Sequence, residues 1–203
     1  MSSRVRCAVL ISGRGSNLAA LIAACQAPDY PAEVVLVISN VEDAEGLKNA
    51  RAAGVPAKVI PHATFDTREA FDDAIEAALR KADVSLVCEA GFMRIHSDAF
   101  VQRWEGRLIN IHPSLLPSFK GTRVHRQALD AGVRITGCTV HFIVPELDSG
   151  PIIAQSAVPV RRGDTPAALA ARVLEAEHKL YPEALRLVAE GRAKLARGRV
   201  EFL

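Results

Sequence analysis

No two cysteines lie close together in this chain. Cys7, Cys25, Cys88 and Cys138 form no C-x-x-C pair. Three of them (Cys7, Cys88, Cys138) sit in apolar runs, where a thiol packs as a small hydrophobe. That pattern argues against a disulfide framework or a zinc site and for a reducing, cytoplasmic setting. No His, Cys, Asp or Glu cluster has metal-ligand spacing, so no metal is expected. No apolar run is long enough to span a bilayer, which excludes a helical membrane protein. The opening MSSRVRCAVLISGRG reaches a Gly-rich turn without an A-x-A cleavage pattern, and reads as a first strand rather than a signal peptide. An excess of one charge is also lacking: the net charge is +2, with the basic residues dispersed. A nucleic-acid partner is therefore not expected. Internal repeats, low-complexity segments and linkers are absent. What is present is a chain of 203 residues, 49% hydrophobic and 24% charged, which suits one domain with a full core.

Apolar runs alternate with amphipathic segments, the pattern of an α/β protein with a mostly parallel twisted sheet flanked by helices. Val5–Ile11 reads as the first strand. Ser16 or Asn17 can cap the helix that carries Leu18, Leu21, Ile22 and Cys25 at helical spacing. Val34–Ser39 is a second strand, followed by a helix from about Ala44 to Ala53 that Gly54 ends. Ala57–Ile60 is a third strand. Phe71, Ala74, Ile75, Ala78 and Leu79 line one face of the next helix. Val84–Cys88 and Leu108–Ile111 are strands four and five. Ile135–Val144 has Val140, Phe142 and Val144 on one face and Thr139 and His141 on the other. Ile152–Val160 is expected to run antiparallel to its neighbour. Thr165 caps a last long helix with Pro166 at its first position and Leu169, Val173, Ala176 and Leu180 inward. Pro182 should break or kink it. The tail ARGRVEFL reads as either a docked edge strand or a disordered end.

Four constellations could carry chemistry. In RLINIHPSLLPSFKG, Asn110 and His112 stand two apart in an extended segment and so share a face. The proline after His112 keeps it out of a helix. An amide can donate to a developing oxyanion, and an imidazole can move a proton near neutral pH. A carboxylate to orient the ring and favour its charged form comes later, at Asp148 in ELDSGP. Together they suit acyl transfer through a tetrahedral intermediate without a covalent Ser or Cys nucleophile. The second constellation is Gly13–Asn17, GRGSN, between the first strand and first helix. Its glycines let the backbone approach a ligand, and the helix N-terminus favours a phosphate. Leu18 stands where a dinucleotide fingerprint needs its third glycine, and no G-K-[ST] follows, so a phosphomonoester fits best. Third, AGFMRI offers Gly91 for close approach to a planar ligand and Phe92, Met93 and Ile95 as apolar walls, although the residues alone favour a plain core-covering loop. Fourth, Arg68 sits in a first helical turn, where a cation opposes the helix dipole and a ligand carboxylate would explain it. His62, His96 and His178 are isolated in the sequence. His125 can face the site or cap a helix, and His141 can point to a cleft.

With these residues assembled, the chain resembles the phosphoribosylglycinamide formyltransferase family, the folate-dependent GAR transformylases of purine (IMP) synthesis. The likeness runs from LISGRGSN through FDTREAFD, AGFMRI, NIHPSLLP and HFIVPELDSGPII to the final EAEH helix. It implies a single formyltransferase domain over 1–203 with a Rossmann-type N-terminal half and antiparallel C-terminal strands. Residues 1–100 would bind the ribonucleotide phosphate, and 101–203 the folate and the reacting centre. The reaction implied is formyl transfer from 10-formyltetrahydrofolate, as co-substrate, to the amine of glycinamide ribonucleotide. Asn110, His112 and Asp148 would be catalytic. Gly15, Ser16, Asn17 and Glu177 would bind the ribonucleotide. Arg68, Met93, Arg94, Ile95, His96, Asn110, Val144, Leu147 and Asp148 would line the folate side. Small-molecule substrates, no nucleic acid, no membrane and a monomer or homodimer follow from the same likeness. One departure stands out: after SLLP the family often reads P-G-L-H-T-H, whereas Lys120–His125 here puts Arg123 in place of a His. Methionyl-tRNA formyltransferases and formyltetrahydrofolate deformylases share the N-x-H…D pattern but carry an extra domain that this chain has no room for. A non-catalytic nucleotide or folate sensor is the reading from another class, and the intact trio counts against it.

Overall fold

The structure, a computed structural model, describes residues 4–203. Alternating apolar and amphipathic segments become nine strands and six helices among those residues. The strands of the main sheet are β1 (Val5–Ile11), β2 (Ala32–Ser39), β3 (Ala57–Val59), β4 (Leu86–Glu89), β5 (Leu108–His112), β6 (Ile135–Phe142) and β7 (Ile152–Pro159). Their spatial order is β3-β2-β1-β4-β5-β6-β7. Pairing is parallel from β3 to β5, while β6 and β7 join antiparallel. The strand order reverses between β1 and β4, and open α/β sheets form their ligand crevice at the carboxyl ends of strands beside such a point. GRGSN follows β1 there, AGFMRI follows β4, and Asn110 and His112 end β5.

The helices are α1 (Ser16–Cys25), α2 (Gly46–Ala52), α3 (Arg68–Lys81), α4 (Asp98–Arg103), α5 (Val124–Asp130) and α6 (Pro166–Ala189). Their apolar stripes bury against both faces of the sheet. On one face, Leu18 and Leu21 of α1 meet Val173, Tyr181 and Leu185 of α6 over Val9, Cys88 and Ile109. On the other, Phe71, Ile75 and Leu79 of α3 join Phe100 and Trp104 over Leu10, Val87 and Leu108. Each fully buried side chain of this size contributes roughly 1.5–3 kcal/mol.

Pro182 does not break α6, although a break is one of the two outcomes the sequence predicts. A proline inside a helix costs about 3 kcal/mol in lost bonding and clash. Here the flanking contacts offset it. The Tyr181 hydroxyl donates to the carbonyls of Glu89 (2.8 Å) and Ile109 (3.2 Å), joining β4 to β5, and the Pro182 carbonyl accepts from the Tyr30 hydroxyl at 2.6 Å. The chain's tail is ordered as a separate hairpin of β8 (Ala193–Ala196) and β9 (Arg199–Phe202) rather than as an edge strand of the main sheet. Arg197 and Gly198 both have positive φ, as a two-residue hairpin turn requires. No helix among the described residues is long and apolar enough to cross a membrane.

Candidate active site

Period-two geometry puts Asn110 and His112 on the same face of β5, and the antiparallel register sets Asn110 opposite His141 and His112 opposite Thr139. The His141 Nδ1–H donates to the Phe142 carbonyl at 2.9 Å. Burial favours the neutral ring, against the Phe142 bond. Its Nε2 is then an acceptor and takes an N–H from Asn110 Nδ2 at 3.3 Å. One amide hydrogen of Asn110 is thereby fixed, and the second is available to a ligand. His141 is a positioning contact that the strand pattern placed on the correct face without identifying its partner.

The His112 ring is buried, and its two nitrogens have different neighbours. Nε2–H donates to the Phe119 carbonyl at 3.0 Å. Nδ1 lies 3.5 Å from Asp148 Oδ1, a charge contact longer than a good hydrogen bond. The other Asp148 oxygen accepts the Gly121 N–H at 2.7 Å. Phe119 and Asp148 both adopt positive φ, 57° and 47°. Such non-glycine conformations cost on the order of 1–3 kcal/mol and persist where the surroundings fix them. Part of that fixing comes from Gly150, where a Cβ would lie 1.7 Å from the Phe142 carbonyl oxygen, so only glycine lets the Asp148 loop close on the end of β6. Thr139 holds the segment after His112: its hydroxyl donates to the Ser114 carbonyl (2.7 Å) and accepts from the Leu116 N–H (3.0 Å). Lys120 Nζ donates to Ser149 Oγ and lies 3.5 Å from Glu146 Oε1, tying the two loops across the site. The segment that departs from the family pattern thus supplies one backbone contact to the trio, from Gly121, and the adjoining Phe119 supplies another. His125 lies inside α5 rather than capping it; Arg123 is the N-cap, with φ 58°.

At GRGSN the cap differs from the expectation. Neither Ser16 nor Asn17 caps α1; the cap is Gly15 at φ 70°, with no side-chain bond. The reason is spatial: a Cβ on Gly15 would sit 2.5 Å from Gly46 Cα, and the Asn17 side chain is engaged elsewhere. Asn17 Nδ2 donates to Glu177 Oε2 at 2.6 Å, and both are buried. Burial pushes the Glu177 carboxyl up, opposed by Asn17. Asn17 Oδ1 has no hydrogen-bond partner among the described residues. The first-turn N–H groups of α1 lack intrahelical acceptors, which makes this end receptive to an anion.

Met93, Ile95 and Leu147 are exposed large hydrophobics, as a wall for an apolar ligand would be. The Met93 N–H donates to Ser12 Oγ at 2.7 Å, a contact the sequence did not suggest. Arg94 is exposed beside them, and Val144 lies just past β6, part-buried. Arg68 opens α3 after the Thr67 cap, exposed, and no hydrogen bond or ion pair ties it to the trio. His96 does not join the wall. Its side chain is only 2% exposed and lies between Asp72 and Glu89, so the ring is neither isolated nor free to touch a ligand in the cleft.

The carboxyl ends of β1, β4 and β5 thus carry a helix end without a side-chain cap, an exposed apolar loop, and an amide and an imidazole on one strand face. The sequence profile of the formyl transferase family matches residues 5–185. The phosphoribosylglycinamide formyltransferase of Escherichia coli (strain K12) is 46% identical over 187 residues, covering 92% of this chain and 88% of that one. The trifunctional purine biosynthetic protein adenosine-3 of Gallus gallus is 54% identical over 190 residues, covering 94% of this chain and 19% of that one. The chain therefore spans between about a seventh and a fifth of the length of its trifunctional relatives. The crystal structure of glycinamide ribonucleotide transformylase 1 from Symbiobacterium toebii superposes with a TM-score of 0.96 at 47% identity, covering 100% of this chain and 96% of that one. The chain belongs to the formyl transferase family, among the phosphoribosylglycinamide formyltransferases.

Proposed function

We propose that this protein transfers the formyl group of 10-formyltetrahydrofolate to the amine of glycinamide ribonucleotide. What supports the reading is that Asn110 and His112 share a face at the end of β5, that Asp148 lies 3.5 Å from His112, and that a helix end without a side-chain cap and an exposed apolar loop follow β1 and β4 in the same sheet. The ribonucleotide phosphate binds the first-turn N–H groups at Gly15, Ser16 and Asn17, and Glu177 orients the rest of that substrate. Met93, Arg94, Ile95, Val144 and Leu147 hold the folate, with Arg68 for its carboxylate tail. Residues 1–100 chiefly supply the phosphate side and 101–203 the reacting centre.

The amine nitrogen attacks the formyl carbon, a new C–N bond forms, and the carbonyl π pair moves onto oxygen. The free Nδ2–H of Asn110 and the His112 ring stabilise that oxyanion, each an effect of roughly 3 kcal/mol. Because Nε2–H is bound to Phe119, Nδ1 is the His112 atom that exchanges a proton, beside Asp148. Collapse breaks the bond from the formyl carbon to the folate nitrogen, which takes up the proton the amine lost. Holding both substrates in line lowers the barrier further, by about 7–11 kcal/mol at the limit. The partners are small molecules, the chain works as a monomer or homodimer, and its four free, buried thiols suit the cytoplasm.

The test is a formyl-transfer assay offering the ribonucleotide, water and charged initiator tRNA as acceptors. Formylated ribonucleotide should dominate. Transfer to tRNA or water at a comparable rate would overturn the assignment, and folate binding without transfer would make the protein a sensor.

A further inference from the structure

His96 is a deeply buried titratable group outside the proposed chemistry. Its Nδ1–H donates to Asp72 Oδ1 of α3 at 2.6 Å, and Nε2 lies 2.9 Å from Glu89 Oε1 at the end of β4. The second contact is an ion contact without hydrogen-bond alignment, since neither atom has a hydrogen-bond partner. Phe92 and Phe100 stack on the ring, with centroids at 5.3 and 4.2 Å. Asp72 Oδ2 accepts the Ser97 N–H at 2.6 Å. Two carboxylates in a core are costly unless paired, and such pairs are poor sources of net stability. Their position suggests a different use.

Glu89 and His96 bracket residues 90–95, the loop that exposes Met93 and Ile95. Glu89 also lies opposite Asn110 in the β4–β5 register. One end of the loop is thus joined to the strand that carries Asn110, and the other to α3. We propose that Asp72, His96 and Glu89 form a charged clamp that holds loop 90–95 against the end of β5, so that His96 and Glu89 position the apolar ligand's wall without touching the ligand. This rests on the reading of that loop as the folate wall. Burial opposes the imidazolium, but the two carboxylates outweigh it and push His96 up to about 9. The charges facing the clamp are Asp72 from α3, Glu89 from β4 and, acting on Glu89, Asp148. From α4, Phe100 stacks on the ring, and no cation but His96 pairs with either carboxylate among the described residues. Loss of the His96 proton removes the only counter-ion and loosens the loop.

The wild-type protein tests this without substitution. Methionine occurs twice in the chain, so the Met93 methyl is readily assigned by NMR. Between about pH 7 and pH 10, the Met93 and Ile95 methyls should titrate together with the His96 ring. Methyls that stay flat while His96 titrates would overturn the clamp. A second arm measures binding of 5-formyltetrahydrofolate, which the wall would hold. Wild-type affinity should fall roughly fivefold or more from about pH 7 to pH 10, and the Glu89→Leu/His96→Leu variant should lack that dependence. Identical pH profiles would sink the proposal. Met93→Ala separates the two readings. If it weakens binding while the profiles coincide, only the clamp fails; if it leaves affinity unchanged, the folate wall fails and the clamp with it.

Discussion

His112 Nε2 lies 3.0 Å from the Phe119 carbonyl oxygen, and a carbonyl can only accept. The bond therefore assigns the proton on Nε2 and leaves Nδ1, 3.5 Å from Asp148, as the nitrogen open to proton exchange. It also gives the backbone of residue 119 a part in selecting the imidazole tautomer.

Replacing Asp148 by Asn keeps an oxygen for the Gly121 N–H but removes the negative charge beside His112. Turnover should fall roughly tenfold or more, and the pH–rate profile should change. An unchanged profile would reject the coupling between the two side chains.

His141 should matter without touching substrate. His141→Leu removes the acceptor that fixes the Asn110 amide. Loss of that bond, worth about 1 kcal/mol, should lower kcat roughly fivefold. His141→Gln, which retains an acceptor oxygen, should recover much of it. Equal kcat in wild type and His141→Leu would show that Asn110 is oriented by other means.

Gly15→Ala forces a side chain onto a residue at φ 70° and toward Gly46 Cα at 2.5 Å. The denaturation midpoint should drop by an amount equivalent to roughly 1–3 kcal/mol, and KM for the ribonucleotide should rise more than KM for the folate. Ser16→Ala, which removes no cap bond, should leave the midpoint unchanged. A Gly15→Ala protein as stable as wild type would mean that the GRGSN loop can relax.

Stability should fall on the alkaline side through the buried clamp. His96 is pushed up to about 9 from an ordinary 6.5, so its folded form favours the proton. Its contribution is complete below about pH 6.5 and disappears as pH rises through 9. Burial raises Glu89, so its contribution also fades with rising pH. Asp72 runs the other way. Burial opposes its charge, but His96 and Ser97 hold it below its usual value, so its share is lost only in acid. Tm measured from pH 6.5 to about 10 should fall more in wild type than in Glu89→Leu/His96→Leu. Parallel curves would contradict the pairing.

Much of this architecture was legible because period and punctuation agree. The first strand, the Thr165 cap and the shared face of Asn110 and His112 each follow from local rules. The clamp was not legible, because its members come from α3, β4 and a loop, and only the sheet brings them together. One signal was available: Glu89 closes an otherwise apolar strand and needs a partner. The terminal hairpin was not legible, because its turn carries Arg197 at a positive φ where Asn, Asp or Gly is the usual signal. Pro182 misled because local propensity says nothing of the packing of Tyr181.

The most direct test of the central claim is the single-turnover rate of His112→Ala with both substrates bound. The account predicts that binding of each substrate is retained while formyl transfer slows roughly 10²-fold or more. A near-normal rate in the bound complex would contradict it.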